Sequence, residues 1–436
     1  MPEAKAALLK VSSEGGEPVQ LDGRTTRPSE RERPKGNGRR SGRPTPQVEV
    51  PFVSLFTGAG GLDLGLEAAC RPGSPLRLVT GVAVEYDSHA TLTLVAAQEA
   101  GYFHRKFSVL GDVRDFSGSA ARSVLKTAGM RRGAVELVVG GPPCPSFSTA
   151  GKRQSVGDMR GQLVFEFLRI VGELRPRFFL MENVRGLLSA AISHRPLVER
   201  GAEAPPLAAE EQLGSALNLI LDEMRGLGYQ VVYGRVNAAN YGAPQLRHRA
   251  LFFGSRDREF PPAAEISDLM PKTHSDQTEI NGHQPWRTLQ DALAGLPLTE
   301  RRKEYQPYSP ERARWFEMIP SGANWRHLRD NFSPEVARKA LGGAWDADGG
   351  RVGFYRRLAW NRPAPTLLTS PTQKATGLCH PEELRPLSVA EYARIQEFPD
   401  GYPFSGRVMD KYVQIGNAVP LSLGTAAGSA LLRFLA

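Results

Sequence analysis

Phe52-Val-Ser-Leu-Phe-Thr-Gly-Ala-Gly-Gly-Leu-Asp-Leu-Gly-Leu-Glu67 decides the fold, because an apolar run ends in a glycine-rich turn and resumes as a periodic segment. The run Phe52–Phe56 predicts a buried strand, and Leu62–Ala69 predicts the helix that follows it. Glycines between them let a ligand approach the backbone at the start of that helix. Asp63 stands where the dinucleotide fingerprint requires a third glycine, which argues against NAD. The turn is therefore typical of a site for another nucleoside-type cofactor.

The alternation of strand and helix continues beyond this turn. Apolar runs predict strands at Leu78–Glu85, Val135–Gly140 and Arg177–Glu182, and amphipathic stretches predict helices at Ser88–Ala100, Gly161–Leu174 and Gln212–Leu227. Two closely spaced strands, Tyr229–Val236 and Ala250–Gly254, are expected to form an antiparallel edge. This rhythm predicts an α/β fold whose sheet is Rossmann-like, mostly parallel and covered by helices.

The pattern divides the chain into an arm and two domains. Residues 1–47 are predicted to be a disordered basic arm, either a phosphate-attracting segment or a solvated tail, because they lack apolar periodicity. Residues 48–256 and 388–436 are assigned to the sheet domain, with a further helix predicted at Ser388–Glu397. Residues 257–387 are irregular and contain Pro, Arg and Trp, so they are predicted to form a smaller inserted domain.

The composition limits the class of protein. With 436 residues, 41% of them hydrophobic, the chain can bury a full core. Its net charge of +9 favours a polyanionic partner such as nucleic acid, although excess charge also aids solubility. No apolar run reaches membrane length and no signal peptide is evident, so a cytoplasmic location without a membrane partner is expected. Cys70, Cys144 and Cys379 lack the spacing of a zinc site, so neither a metal nor a disulfide framework is expected.

Basic and aromatic residues interleave within Arg351–Lys374, which contains no Asp or Glu. Such a mixture is typical of a nucleic-acid surface, and it also suits a surface for a partner protein. The pattern by itself leaves both interpretations open.

Cys144 lies in Gly140-Gly-Pro-Pro-Cys-Pro-Ser-Phe-Ser148, directly after a predicted strand. An isolated cysteine is usually a small core residue. Glycines and prolines that end a strand abruptly instead place this thiol at the carboxyl edge of the sheet, where open α/β folds bind ligands. Glu182 ends another predicted strand, and a carboxyl group partly removed from water can hold or share a proton. A thiol beside an acid suggests covalent catalysis with proton assistance.

Two further acids are candidates for contacts with a nucleoside. Glu85 ends the second predicted strand, where a carboxylate can accept hydrogen bonds from ribose hydroxyls. Asp112 follows the third strand and could accept from an adenine amino group. Either residue could also be an ordinary loop carboxylate.

Seven segments together resemble the DNA (cytosine-5) methyltransferases of bacterial restriction-modification systems, and they occur in the order that the family has. They are Phe56-Thr-Gly-Ala-Gly-Gly61, Gly141-Pro-Pro-Cys144, Ser146-Phe-Ser148, Glu182-Asn-Val184, Gln245-Leu-Arg247-His-Arg249, Arg394-Ile-Gln-Glu-Phe-Pro399 and Gly416-Asn-Ala-Val419. The resemblance implies a class I S-adenosylmethionine-dependent methyltransferase fold and makes the inserted domain the target-recognition domain.

The resemblance also implies the reaction and its residues. Cys144 would be the nucleophile that adds to carbon 6 of a flipped-out cytosine, and Glu182 would contact the ring nitrogen and amino group of that base. Arg247 and Arg249 match the arginines that support the pocket. The methyl group would pass from S-adenosylmethionine to carbon 5. The family usually has Gln after the cysteine, whereas this chain has Pro145.

A set of residues matches the cofactor-binding positions of the family, and S-adenosylhomocysteine would be the product. This set consists of Phe56, Thr57, Gly58, Gly60, Gly61, Leu62, Glu85, Asp112, Pro143, Asn417 and Ala418. The stretch Ser148–Gly161 is small, polar and basic, which suits the family's mobile lid, although a plain surface loop is the alternative.

The implied partner is double-stranded DNA, with a monomeric enzyme associated with the bacterial nucleoid and a cognate restriction endonuclease acting on the same site. One alternative is an RNA cytosine-5 methyltransferase that uses the same residues on tRNA. Another is a DNA-binding regulator with an inactive catalytic fold, against which the intact Cys144 and Glu182 argue.

Overall fold

The computed structural model describes residues 48–69, 75–131, 133–143, 163–193, 195, 199–200, 204–276, 282–346, 353–373 and 377–435. Several sequence predictions concern residues outside these ranges. They are the basic arm 1–47, Cys70, Cys144, Pro145, the Ser148–Gly161 stretch and both ends of the basic and aromatic Arg351–Lys374 segment.

One seven-stranded sheet organises the described residues, and its strands confirm the predicted α/β rhythm. The first eight strands along the chain are β1 (Val48–Leu55), β2 (Leu76–Val84), β3 (Ser108–Leu110), β4 (Leu137–Gly140), β5 (Phe178–Val184), β6 (Gln230–Asn237), β7 (Gln245–Leu246) and β8 (His248–Ser255). The sheet order is β3-β2-β1-β4-β5-β8-β6. Neighbouring strands are parallel except at β8, which runs antiparallel to both β5 and β6. The antiparallel strand is thus second from the edge, and β6 is the edge strand itself.

Helices cover both faces of this sheet because successive strand residues point to opposite sides. Those associated with it in the first part of the chain are α1 (Gly61–Glu67), α2 (Ser88–Glu99), α3 (Gly118–Thr127), α4 (Leu163–Leu174) and α5 (Ser215–Gly226). Val53 and Leu55 of β1 pack into the core beneath α3, α4 and α5, whereas Phe52 packs into the core beneath α1. The carboxyl ends of the parallel strands therefore lie at one edge of the sheet, between the two hydrophobic cores.

Residues 257–387, whose sequence lacks the strand and helix rhythm, contain six short helices in their described part. They are α6 (Ile266–Leu269), α7 (Leu289–Leu293), α8 (Leu298–Arg301), α9 (Pro310–Glu317), α10 (Trp325–Asn331) and α11 (Pro334–Leu341). Ser309 and Ser333 each cap a helix whose first residue is proline. The Ser-Pro-Glu sequence at both positions is a helix-start signal that the hydrophobic pattern alone does not reveal.

The inserted region has a small core of its own and also contacts the sheet domain. Trp315, Phe316, Trp325 and Leu328 belong to a separate cluster of buried side chains. Short paired strands connect distant parts of the region, namely β9 (His274–Ser275) with β10 (Gln284–Pro285), β11 (Arg356–Arg357) with β13 (Leu378–Cys379), and β12 (Ala364–Pro365) with β7. The domain boundaries at 257 and 387 stay a prediction.

Three helices complete the chain, namely α12 (Val389–Ile395), α13 (Val408–Asn417) and α14 (Leu421–Leu431). The sequence predicted only the first of them. α14 packs closely on α1, since a Cβ atom at Gly65 would lie 2.4 Å from the carbonyl oxygen of Leu421. A Cβ atom at Gly424 would lie 3.0 Å from the Cα atom of Gly65. Glycine on both helices thus lets their backbones touch.

Among the described residues, no helix combines the length and the apolar character that crossing a bilayer requires.

Candidate active site

The turn between β1 and α1, residues Phe56–Gly61, is here called the glycine turn. Phe56, Gly58 and Gly60 have positive φ angles of 56°, 57° and 82°. A Cβ atom at Gly60 would lie 2.8 Å from the ring of Phe103, whereas a Cβ atom at Gly58 would meet nothing within 4 Å. Gly60 is therefore required by close packing, and the backbone at Gly58 faces open space that a ligand can occupy.

Glu85 lies directly beside the glycine turn because β1 and β2 are paired to their ends, with Leu55 opposite Val84. Its carboxylate accepts hydrogen bonds from the backbone N–H groups of Gly58 and Asp87, each at 2.7 Å. Burial raises the pKa of Glu85, and these two N–H groups partly offset that effect. The structure thus brings the predicted ribose acceptor and the glycine turn together.

Asp112 lies one strand further along the sheet edge, after β3. Its carboxylate accepts from the guanidinium of Arg114, with 2.6 Å between Nη2 and Oδ2, and this pairing lowers its pKa. An adenine amino group at Asp112 would have to replace Arg114. Tyr86 has 77% of its surface exposed and stands next to Glu85. The sequence analysis missed this aromatic residue, although an aromatic side chain directly after a strand-end acid is a signal for stacking on a base.

Glu182 and Arg249 meet because β5 and β8 are paired, with Val184 opposite Arg249. The Arg249 Nε atom lies 2.6 Å from the Glu182 Oε1 atom, and both side chains are about nine-tenths buried. Burial lowers the pKa of Arg249, whereas the negative charge of Glu182 acts in the opposite direction. The second carboxylate oxygen of Glu182 would lie 3.1 Å from a Cβ atom at Gly141. Glu182 is thus packed against the segment that leads to Cys144.

Asn183 ties the same segment to β5. Its Nδ2 atom donates to the backbone carbonyl of Pro142 at 3.0 Å. Pro143, the last described residue before Cys144, is exposed. Glu182 and Asn183, which are consecutive residues of β5, therefore both contact the segment Gly141–Pro142. Cys144 follows this segment in the sequence.

Arg247 does not contact Glu182, in contrast to Arg249. It has 1% of its surface exposed and donates to the backbone carbonyls of Leu367 at 3.0 Å and Gly416 at 2.8 Å. Burial lowers the pKa of Arg247 well below its ordinary value. The two predicted arginines therefore have different contacts. Arg249 pairs with the candidate catalytic carboxylate of Glu182, and Arg247 binds backbone carbonyls that are distant in the sequence.

Two buried amides extend the contacts of Arg247 into a network, here called the junction, formed by Gln245, Arg247 and Gln396. Gln245 donates to the Gln396 side chain at 2.7 Å and accepts from the Leu367 N–H at 2.9 Å. Gln396 donates to the carbonyls of Ile415 and Ala418, both at 2.7 Å. The junction thus joins β7, the end of the inserted region and α13.

The same contacts bring the Asn417–Ala418 segment beside the glycine turn. A Cβ atom at Gly61 would lie 2.7 Å from the carbonyl oxygen of Val419 and 3.1 Å from the Cβ atom of Ala418. Asn417 itself is exposed. With Thr57 and Leu62, which are buried, the predicted cofactor residues from the two ends of the chain therefore meet in one place. In the described part of the chain, no group of three or more His, Cys, Asp or Glu side chains could hold a metal ion.

Comparisons with known proteins identify the family of this chain. A family model for C-5 cytosine-specific DNA methylase matches residues 50–433. The Type II methyltransferase M.PspPI of Psychrobacter sp. (strain TA137) is 34% identical over 394 residues, which cover 89% of this chain and 80% of that protein. The Type II methyltransferase M.Eco47II of Escherichia coli is 34% identical over 388 residues, which cover 88% of this chain and 79% of that protein.

Solved structures share the fold at lower identity. A DNA modification methyltransferase encoded within an Escherichia coli prophage aligns with a TM-score of 0.53 and 24% identity, covering 88% of this chain and 99% of that one. The Dnmt2 methyltransferase of Schizosaccharomyces pombe aligns with a TM-score of 0.54 and 15% identity, with the same coverage of 88% and 99%. At these identities the likeness concerns the fold alone.

Proposed function

Because this chain belongs to the C-5 cytosine-specific DNA methylase family, we propose that it methylates carbon 5 of cytosine within one short duplex DNA sequence. The chain is a DNA cytosine-5 methyltransferase, and its family uses S-adenosylmethionine. The observation that carries the finer proposal is the buried ion pair between Glu182 and Arg249, packed against Gly141 at the exit of β4. Cys144 follows that exit by three residues.

The chemistry explains why a thiol and an acid are both needed. Carbon 5 of cytosine is a weak nucleophile, so the Cys144 thiolate adds to carbon 6 and makes carbon 5 enamine-like. Glu182 stabilises the ring by a hydrogen bond or a proton at nitrogen 3, and Arg249 holds the Glu182 carboxylate in place. After carbon 5 gains the methyl group, it loses its proton to a base, and the electron pair expels the sulfur.

The cofactor is assigned to the open space at Gly58, where S-adenosylmethionine would supply an electrophilic methyl group. Glu85 would exchange its hydrogen bond from the Gly58 N–H for bonds from the ribose hydroxyls. Asp112 would accept from the adenine amino group after Arg114 moves aside, and Tyr86 would cover the adenine face. Asn417 and Ala418 would close the methionine end of the site.

Duplex DNA is the proposed substrate, and residues 257–387 are proposed to contact its phosphates and read its bases. The target base must be flipped out, which costs a few kcal/mol. The relatives are named Type II methyltransferases, so we also propose a cognate restriction endonuclease for the same site. A monomer is the proposed active form.

Transfer of labelled methyl groups to duplex DNA, compared with total tRNA, tests the substrate. We expect labelling of DNA alone, abolished by Cys144→Ala, and bisulfite sequencing should then show one protected sequence. A duplex with 5-fluorocytosine at the target should trap a covalent complex, since the fluorine cannot leave as a proton does. Exclusive labelling of tRNA would refute the DNA proposal, and tight cofactor binding without transfer to either would indicate an inactive regulator.

A further inference from the structure

Asp63 is a buried acid that the proposed mechanism does not use. It follows the glycine turn directly and lies in the first turn of α1. The residue has 0% of its surface exposed, and neither carboxylate oxygen has a partner of hydrogen-bond geometry. A charged carboxylate without partners in such a place is costly, so something else must balance the group.

The groups around Asp63 are acidic or neutral. Glu67 on the same helix and Glu85 after β2 both disfavour a negative charge on Asp63, and only the Ser54 hydroxyl on β1 and the local backbone favour it. Tyr402, from the loop after α12, is the titratable group on the remaining side, and its hydroxyl donates to the Ala59 carbonyl. Burial, together with the negative charges of Glu67 and Glu85, outweighs the Ser54 hydroxyl and the local backbone and raises the pKa of Asp63 to about 7.

Glu67 provides a comparison on the same helix. It is also buried, with 6% of its surface exposed. Its two carboxylate oxygens accept from the backbone N–H groups of Thr80 at 2.8 Å and His104 at 2.9 Å. The fold thus gives both oxygens of Glu67 a backbone partner and gives no such partner to Asp63, which lies two residues after the glycine turn.

The two forms of the assigned cofactor differ in charge. S-adenosylmethionine has a sulfonium, an ammonium and a carboxylate, and S-adenosylhomocysteine lacks the sulfonium charge. A positive charge near a buried carboxyl group favours the ionised form of that group. The change in cofactor charge during the reaction can therefore be coupled to a proton on Asp63.

We propose that Asp63 is the counter-charge for the sulfonium: its carboxyl group releases a proton to solvent when S-adenosylmethionine binds and takes one up when methyl transfer leaves S-adenosylhomocysteine. This inference rests on the proposed function for the identity of the cofactor. It predicts that ionised Asp63 makes the free enzyme bind the charged substrate more tightly than a protein without this carboxylate does, and leaves the affinity for the product unchanged.

Calorimetric titration of the full-length protein in buffers of different ionisation enthalpy counts the protons. We expect release of about one proton per S-adenosylmethionine at pH 6, decreasing above pH 8, and no release on binding S-adenosylhomocysteine. Sinefungin, which carries an amine in place of the methyl sulfonium, should behave like S-adenosylmethionine. The affinity for S-adenosylmethionine should increase up to about tenfold per pH unit below neutrality, while that for the product stays constant.

Asp63→Asn should abolish the proton release and reduce the preference for S-adenosylmethionine over S-adenosylhomocysteine by about tenfold or more. Asp222→Asn, on an exposed part of α5, is the matched control and should change neither quantity. If Asp63→Asn does not fold, the proton counts of the wild-type protein with the three ligands still decide.

Three results would overturn the inference: no buffer dependence with S-adenosylmethionine, equal proton release with the product, or release that persists in Asp63→Asn, which would assign the proton to Glu85. The proposed function fails separately. Proton release without methylation of DNA would leave the role of Asp63 intact, and methylation of DNA without proton release would refute that role alone.

Discussion

Arg247 and Asp63 both usually carry a charge and both are buried, but their surroundings differ. Arg247 donates to the backbone carbonyls of Leu367 and Gly416, and these contacts stabilise its guanidinium. Only the Ser54 hydroxyl and the local backbone favour a charge on Asp63, but a carboxyl group can become neutral by holding a proton. A buried charge is thus balanced by backbone dipoles at the junction and by protonation beside the glycine turn.

The two regions also differ in the sequence distance that they span. Arg247 is 120 residues from Leu367 and 169 residues from Gly416. The glycine turn and Glu85 are separated by 27 residues at their hydrogen bond. Substitutions at the junction should therefore affect the stability of the whole chain, whereas those near the glycine turn should mainly affect the cofactor.

Arg247→Met gives the largest expected effect. Removing the guanidinium leaves the carbonyls of Leu367 and Gly416 buried without a donor, and the free energy of unfolding should decrease by about 3–5 kcal/mol. Urea denaturation measures this change. Arg225→Met, at an exposed position of α5, is the control and should change the free energy of unfolding little. An unfolding midpoint for Arg247→Met equal to that of the wild type would show that the junction does not stabilise the fold.

Asp63→Asn should increase the free energy of unfolding near pH 8 when no cofactor is bound, whereas Arg247→Met decreases it. Because burial raises the pKa of Asp63 from 3.8 to about 7, the folded state binds more protons than the unfolded state between these values. Stability therefore falls as pH rises through this window, by up to about 4 kcal/mol from this group. Asn carries no charge, so the variant should exceed the wild type in stability at pH 8 and not at pH 4. Thermal unfolding at both pH values measures the difference, and equal pH dependence in the two proteins would contradict it.

Glu397→Gln tests a buried acid that, in contrast to Asp63, has an ion-pair partner. Glu397 accepts from the Ser422 N–H at 2.9 Å and pairs with Arg287 at 3.1 Å, although burial raises its pKa. Gln keeps an acceptor and loses the ion pair, so the expected loss of stability is about 1 kcal/mol. Glu397→Ala removes both contacts at the same φ angle of 67° and should cost more. If Gln and Ala cost the same in thermal unfolding, the Ser422 contact contributes nothing.

Gly58→Ala should have a modest effect on stability and a clear effect on the binding of the cofactor. At a φ of 57° the added Cβ atom costs about 1–2 kcal/mol, and it enters the open space assigned to S-adenosylmethionine. Gly101→Ala is a matched control, because Gly101 has a φ of 77° and nothing within 4 Å of its Cβ position. Both variants should lose similar stability, and only Gly58→Ala should bind S-adenosylmethionine more weakly. If calorimetry gives the two variants equal affinities for S-adenosylmethionine, the cofactor does not occupy the space at Gly58.

The sequence predicted what short segments determine. The glycine turn, the strand before Glu85, the strand that contains Glu182 and the mostly parallel sheet with an antiparallel strand near its edge all follow from local patterns that the structure confirms. The junction could not be predicted, because the contacts of Gln245 and Gln396 depend on residues more than a hundred positions apart. The short helices of the inserted region were missed since their signal lies in caps such as Ser309 rather than in hydrophobic periodicity.

Asp63 shows a different limit of sequence reasoning. The pattern identified it as a departure from the dinucleotide fingerprint, but only the structure shows that its carboxyl group is completely buried among acidic and neutral groups. The burial of the Asp63 carboxyl group and the contacts available to it depend on the packing of β1, α1 and the loop that carries Tyr402. The roles of the individual site residues remain proposals that the experiments above address.

The contact between Gly65 and Gly424 has a consequence for synthesis on the ribosome. The strand and helix that flank the glycine turn are translated early, yet the surface that supports α1 arrives only with Leu421–Leu431, near the end of the chain. A nascent or prematurely terminated chain therefore lacks a rigid support for that turn. Methylating activity should therefore begin only after Leu421–Leu431 has been synthesised and has packed on α1.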